Sequence, residues 1–147
     1  MAEEYDVLKI DPVIKDIWLK ALRSGEYVQA KGALRTQSGF CCLGVLCDAL
    51  KKAEHPAVAG MEWLEPNHDG MSAFGGGDIG LPSPEIRAAL YGADGSYNGP
   101  TFNVSEGYLP TLNDKGMFSH YNEEDGCPVY SEPHTFEQIA DLIEKDL

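Results

Sequence analysis

Apolar residues along the chain fall into three helical stripes separated by polar and glycine-rich stretches. Ile10, Val13, Ile14, Ile17, Trp18, Ala21 and Leu22 recur at three- and four-residue spacing, which predicts an amphipathic helix over 11–24. Asp11 suits its N-cap, Pro12 its first position and Gly25 its stop. At the other end, Phe136, Ile139, Ala140, Ile143 and Leu147 form a second stripe, and Thr135 with Gln138 makes a capping box. Between them, 39–50 is almost wholly apolar. It is too short to span a bilayer, and a helix apolar nearly all round belongs in the centre of a domain. This central helix is expected to run from Gly39 to about Ala53. Gly44 inside it costs about 1 kcal/mol against alanine, a cost tolerated where another backbone or a ring must come close.

The intervening stretches predict smaller elements. Tyr27-Val28-Gln29 and Ala33-Leu34-Arg35 read as short strands around Gly32, and 61–65 as another. Gly75-Gly76-Gly77 reads as flexible loop, because neither the lysine nor the strand–glycine–helix context of a phosphate-binding loop accompanies it. Ser83-Pro84-Glu85 starts a short helix that Gly92 ends. Turn residues at 93–100, a strand at 101–104, a tight turn at 112–116 and a hairpin or surface excursion over 117–134 complete the chain. The expected architecture is α+β: a single compact domain over 1–147, with a central buried helix packed by amphipathic helices and a small sheet of short strands. A chain of 147 residues is long enough to bury roughly two-thirds of its unfolded surface.

Charge divides the chain. The net charge is −13, of which residues 53–147 carry −14 and residues 1–52 carry +1. From Ala53 to Asp114 the only cation is Arg87. Nucleic acid and anionic membrane need Lys and Arg to displace counterions, so neither is an expected partner. The acidic part reads either as a solubility-promoting face or, more sharply, as a surface that attracts a basic protein partner. The acidic start lacks the basic and apolar regions of an export signal, so the expected location is cytoplasmic.

Four cysteines without an export signal predict thiols instead of disulfides. Zinc-ligand spacing is absent. A zinc site assembles only on paper, from Cys42 and Cys47 with His120, Cys127 or His134. The segment 93–100 lacks the ligand spacing and closing glutamate of a calcium loop. No metal and no cofactor is expected.

Two constellations carry candidate chemistry. Cys41 or Cys42 stands at the start of a buried helix, where a helix N-terminus favours thiolate; His55, His68, His120 or His134 are candidate bases and Asn113 or Asp114 candidate orienters. Against that hydrolase reading, free cysteine is among the most buried residue types, and small soft thiols fill tight cores. The second is a ligand pocket for a small nucleotide-like molecule, drawing on aromatics such as Tyr97, Phe102 and Tyr108, the cations Lys31, Arg35 and Arg87, and Asn113 and Asp114. The Leu112-Asn113-Asp114 step is equally suited to hydrogen-bonding the start of the central helix.

Four segments carry a resemblance: Trp18-Leu19-Lys20-Ala21-Leu22-Arg23-Ser24-Gly25, Gly39-Phe40-Cys41-Cys42-Leu43-Gly44-Val45-Leu46-Cys47-Asp48, Leu112-Asn113-Asp114, and 136–143. In this order they resemble a family of small uncharacterised proteins from phages, prophages and bacteria. The resemblance implies a phage or prophage accessory gene and a role in modulating a host factor, and implies no catalytic residue. Combined with the charge division, the expected function is binding through the acidic part of the chain, with the cysteine-dependent hydrolase and the nucleotide-like ligand as alternatives.

Overall fold

A computed structural model describes residues 9–91, 101–116 and 118–147. In chain order the elements are α1 (Pro12–Arg23), α2 (Cys42–Lys52), a 3-10 turn (Pro56–Val58), α3 (Pro84–Tyr91), β1 (Asn103–Val104), β2 (Gly107–Tyr108), α4 (Leu109–Asp114), β3 (Phe118–Tyr121), β4 (Pro128–Tyr130) and α5 (Phe136–Asp146). This is a mixed α+β fold. Among the described residues its strands are divided between two antiparallel two-stranded ladders, β1–β2 and β3–β4.

The helix at the centre is α2. Leu43, Val45, Leu46, Cys47 and Leu50 are fully buried, and each aliphatic side chain among them contributes about 1.5–3 kcal/mol by leaving water. Helix α1 lies against both α2 and α5, and α4 packs on α2 and α5. Asp11 caps α1 through its Oδ1, which accepts from the amides of Val13 (2.9 Å) and Ile14 (3.1 Å). Ile14, Trp18 and Leu22 form its buried face, and the Trp18 indole donates to the Cys42 carbonyl at 2.9 Å. Val13, expected in the stripe, is 60% exposed. One residue before Ile14, it is rotated about 100° off the Ile14–Trp18–Leu22 line. The capping box of α5 is complete: Gln138 N donates to Thr135 Oγ1 and Thr135 N to Gln138 Oε1.

Gly44 has the close neighbour its cost implies. A Cβ there would collide with the Leu34 carbonyl, so the 33–34 backbone lies directly on the helix. Several local expectations give way to tertiary structure. α2 begins at Cys42 with Cys41 as N-cap, three residues later than Gly39, because 39–41 is held extended by Phe40 N to Val28 O and Cys41 N to Leu34 O. The expected strands at 27–29, 33–35 and 61–65 are reduced to isolated bridges, Gln29 and Arg35 with Phe40, Arg35 with Ser72, and Trp63 with Phe74. The expected turn at 112–116 is instead the end of α4, closed by Lys115 N to Thr111 O and by Gly116 at φ +96°. The turn expected at 93–100 lies outside the described residues. Among the described residues, no helix is long and apolar enough to cross a membrane.

Candidate functional site

The cysteines of the central helix are core residues. Cys41 is 5% exposed and Cys42 and Cys47 are fully buried. Burial pushes the Cys41 thiol up to about 11, outweighing the amides of Gly44 and Leu43 that favour the thiolate. Burial likewise raises Cys42 and Cys47. The Cys42 thiol faces the Leu109 carbonyl at 3.9 Å.

The histidines are engaged elsewhere. His55 Nδ1 accepts from Ala57 N at 3.0 Å and caps the 3-10 turn. His68 stands on the surface 3.5 Å from Asp69, and His120 pairs with its neighbour Ser119. His134 Nε2 meets Glu106 at 3.3 Å, and its buried Nδ1 has no hydrogen-bond partner among the described residues. No hydrogen bond among the described residues joins a histidine to Cys41 or Cys42. Cys127 is exposed near β4, far from Cys42 and Cys47 in environment, and no three His, Cys, Asp or Glu side chains of the described residues converge as metal ligands.

Asn113 and Asp114 serve the fold in a way their sequence position permits. Asn113 is fully buried, and every polar bond it can form is made. Its Oδ1 accepts from Gln29 Nε2 (2.9 Å) and from Cys42 N (3.3 Å), at the start of α2; its Nδ2 donates to Ala30 O and Asp114 Oδ1, both at 2.9 Å. Asp114 accepts from Gly32 N at 3.2 and 3.3 Å. Gln29 completes the network. Its Nε2 also donates to His134 O (2.8 Å), and its Oε1 accepts from Phe136 N (3.0 Å), an otherwise unpaired amide of the first turn of α5. One amide pair therefore ties α2, α4, α5 and the 29–32 segment together. Sequence reasoning found Asn113 but missed Gln29, which lies in a polar stretch with no periodicity to mark it.

Among the described residues the candidate ligand residues are spread over several places. Phe102 is fully buried, edge-on to Trp18 and Tyr91, with its amide donating to Tyr91 Oη at 2.8 Å. Tyr108 is at the surface and within the field of Arg87; Tyr97 lies outside the described residues. Lys31 is exposed beside the Asp114-bound loop. Arg35 faces a cavity of about 360 Å³, together with Gln37, Trp63, Glu65, Gly70 and Ser72, and neither Lys31 nor Arg87 lines it.

The wall behind Arg35 is an edge-to-face ladder of rings, Tyr27 to Phe40 to Trp63 to Phe74, at centroid spacings of 5.1, 5.8 and 5.0 Å. Asp48, projecting from α2, holds the ladder's polar edges. It accepts from Tyr27 Oη at 2.7 Å and Trp63 Nε1 at 3.0 Å. Burial works against its charged form, yet those two bonds and Lys52 outweigh burial and leave the carboxyl below its usual range.

The acidic residues occupy the outside. Fourteen of those in 53–147 are exposed, among them Glu123, Glu124 and Asp125 at the tip of the β3–β4 hairpin. Among the described elements, β3 and β4 pack principally on each other. At the base, Lys115 Nζ lies 5.2 Å from the Tyr130 ring centre. The tip is ordered by its own bonds: Asn122 Oδ1 accepts from Glu124 N (2.7 Å) and Asp125 N (3.3 Å), and Asp125 Oδ1 from Cys127 N (3.0 Å). Tyr121 beside it is 64% exposed.

A largely buried helix, packed by α1 and α4 and latched at its start by Asn113, defines an α+β protein whose conspicuous sequence motif is spent on the core. Residues 10–147 match a domain of unknown function, DUF8296, and the chain belongs to that family. No curated protein and no solved structure matches it.

Proposed function

We propose that the protein is a phage-type accessory protein that acts by binding, and that its acidic surface engages a basic site on a host protein in the cytoplasm. The observation that carries this reading is the β3–β4 hairpin. It is an arm that packs mainly on itself, ends in Glu123-Glu124-Asp125 and bears the exposed Tyr121. Side-chain-to-backbone bonds from Asn122 and Asp125 hold the tip in one shape, so little ordering entropy is lost on docking. Buried, protonated thiols on α2 and four histidines committed elsewhere point away from the helix start as the working surface.

The test is retention of basic host proteins from cell extract on the immobilised chain, with and without Glu123→Gln, Glu124→Gln and Asp125→Asn together. A partner held by the parent chain, released as salt rises and lost from the triple variant is the expected result. Retention indifferent to both salt and the triple substitution overturns the reading, and so does the absence of any retained protein.

A further inference from the structure

The cavity beside Arg35 combines three features. First, Arg35 is a cation with no carboxylate partner among the described residues. It shares this with several other cations of the chain, whereas Arg23, Lys20, Lys51 and Lys52 each hold a carboxylate; what sets Arg35 apart is that it lines this cavity. Second, it is held in place: its centre lies 5.3 Å from the Trp63 ring centre and 5.7 Å from that of Phe40. Stacking of this kind orients the planar fork and leaves its N–H edges for a ligand.

Third, the wall opposite is built. Residues 64–73 fold back on themselves through Leu64 N to Ala73 O and Asn67 N to Met71 O, and Ser72 N donates to Arg35 O at 3.0 Å. Gly70, at φ +79°, lets the Gln37 side chain lie against it; a Cβ there would stand 2.6 Å from Gln37 Nε2. Gln37 thus lines the same cavity as Arg35. The resulting space of about 360 Å³ suits a molecule of one flat ring and one anionic group.

We propose that this cleft binds a small molecule in which an oxyanion is joined to a planar ring, the oxyanion bridging the Arg35 fork and the ring lying against Trp63 and Gln37. A guanidinium pairs with carboxylate and phosphate alike through two parallel N–H···O bonds, so both sources share this chemistry. Glu65 on the rim repels the oxyanion and sets an upper limit on affinity. The site is independent of the hairpin arm, and its occupancy tests nothing about that arm.

Trp63 is the natural reporter, since the only other tryptophan, Trp18, is fully buried. Emission is titrated with adenosine monophosphate as the phosphate source and benzoate as the carboxylate source, with adenosine and inorganic phosphate as the separate halves. Saturable quenching by at least one ring-bearing oxyanion, tighter than by either half, is the expected outcome. Arg35→Lys, which keeps the charge and removes the fork, is expected to weaken it roughly tenfold or more. Glu65→Gln is expected to tighten it, a gain that loss of folding cannot produce. The proposal is overturned if neither ring-bearing oxyanion changes Trp63 emission up to about 10 mM, if inorganic phosphate binds as tightly as the nucleotide, if Arg35→Lys binds as the parent chain does, or if Glu65→Gln weakens binding.

Discussion

Gln29 Nε2 donates to Asn113 Oδ1 at 2.9 Å, joining positions 84 apart in the chain. Each amide alone would be an expensive polar group in an apolar interior; together they satisfy one another, the first amides of α2 and α5 at Cys42 and Phe136, and the His134 carbonyl. Asn113→Leu leaves the Cys42 amide, the Ala30 carbonyl and the Gln29 amide short of partners. The expected loss is about 2–4 kcal/mol in a urea titration. Gln29→Leu costs less, and the double variant is less destabilised than the sum of the two singles. Strict additivity would show that the two side chains act separately.

Gly44→Ala separates local propensity from tertiary contact. Propensity alone stabilises α2 by about 1 kcal/mol. The Leu34 carbonyl, however, occupies the place of the new methyl group, and forcing backbone aside costs about 1–3 kcal/mol or more. A net fall in the midpoint of denaturant unfolding is expected; a rise would mean that the 33–34 segment yields freely.

Thiol labelling on the native protein is expected to consume one cysteine rapidly, the exposed Cys127, and to reach Cys41, Cys42 and Cys47 only on unfolding. Mass spectrometry of labelled peptides reads this directly. Rapid labelling of Cys41 in the folded chain would restore it as a candidate nucleophile.

Those thiols also set an alkaline limit on stability. Cys41 has its thiol raised from 9.0 to about 11, with burial the largest cause. Between those values the folded state holds a proton that the unfolded chain has released, so stability falls as pH rises. The contribution is fully present below pH 9.0 and lost as pH rises through about 11. Cys41→Ala flattens that part of the profile; an unchanged slope in a pH series of unfolding curves would assign it to other groups.

Asp48 acts in the opposite direction at the acid end. Its carboxyl lies below the usual 3.8 despite burial, because Trp63, Tyr27 and Lys52 favour the anion. The stabilisation it brings is present above pH 3.8 and lost as pH falls through the lowered folded value. Asp48→Ala leaves the Trp63 indole and the Tyr27 hydroxyl without their acceptor. A loss of about 1–3 kcal/mol is expected, with a shift in Trp63 emission; an unmoved emission spectrum would show that Asp48 does not hold the ring ladder.

Local chemistry was plain to read. Asp11 followed by Pro12 starts α1, Thr135 with Gln138 starts α5, and the apolar run around Gly44 marks the core helix, because caps and periodicity act within one or two turns of chain. Even the penalty at Gly44 announced a close neighbour. Which neighbour it was, the Leu34 carbonyl, depended on a loop whose own residues carry no pattern. The six residues of α4 show the same boundary. So short a helix is not stable by itself, and Leu109–Asp114 is helical because Leu109 and Leu112 are buried and Asn113 is bonded across to α2. Arg35 against Trp63, Gln29 against Asn113 and the burial of Cys41 all join segments distant in sequence. The linear chain determined the helices and their buried faces; only packing decided which polar groups would be enclosed together and which would be left to meet a partner.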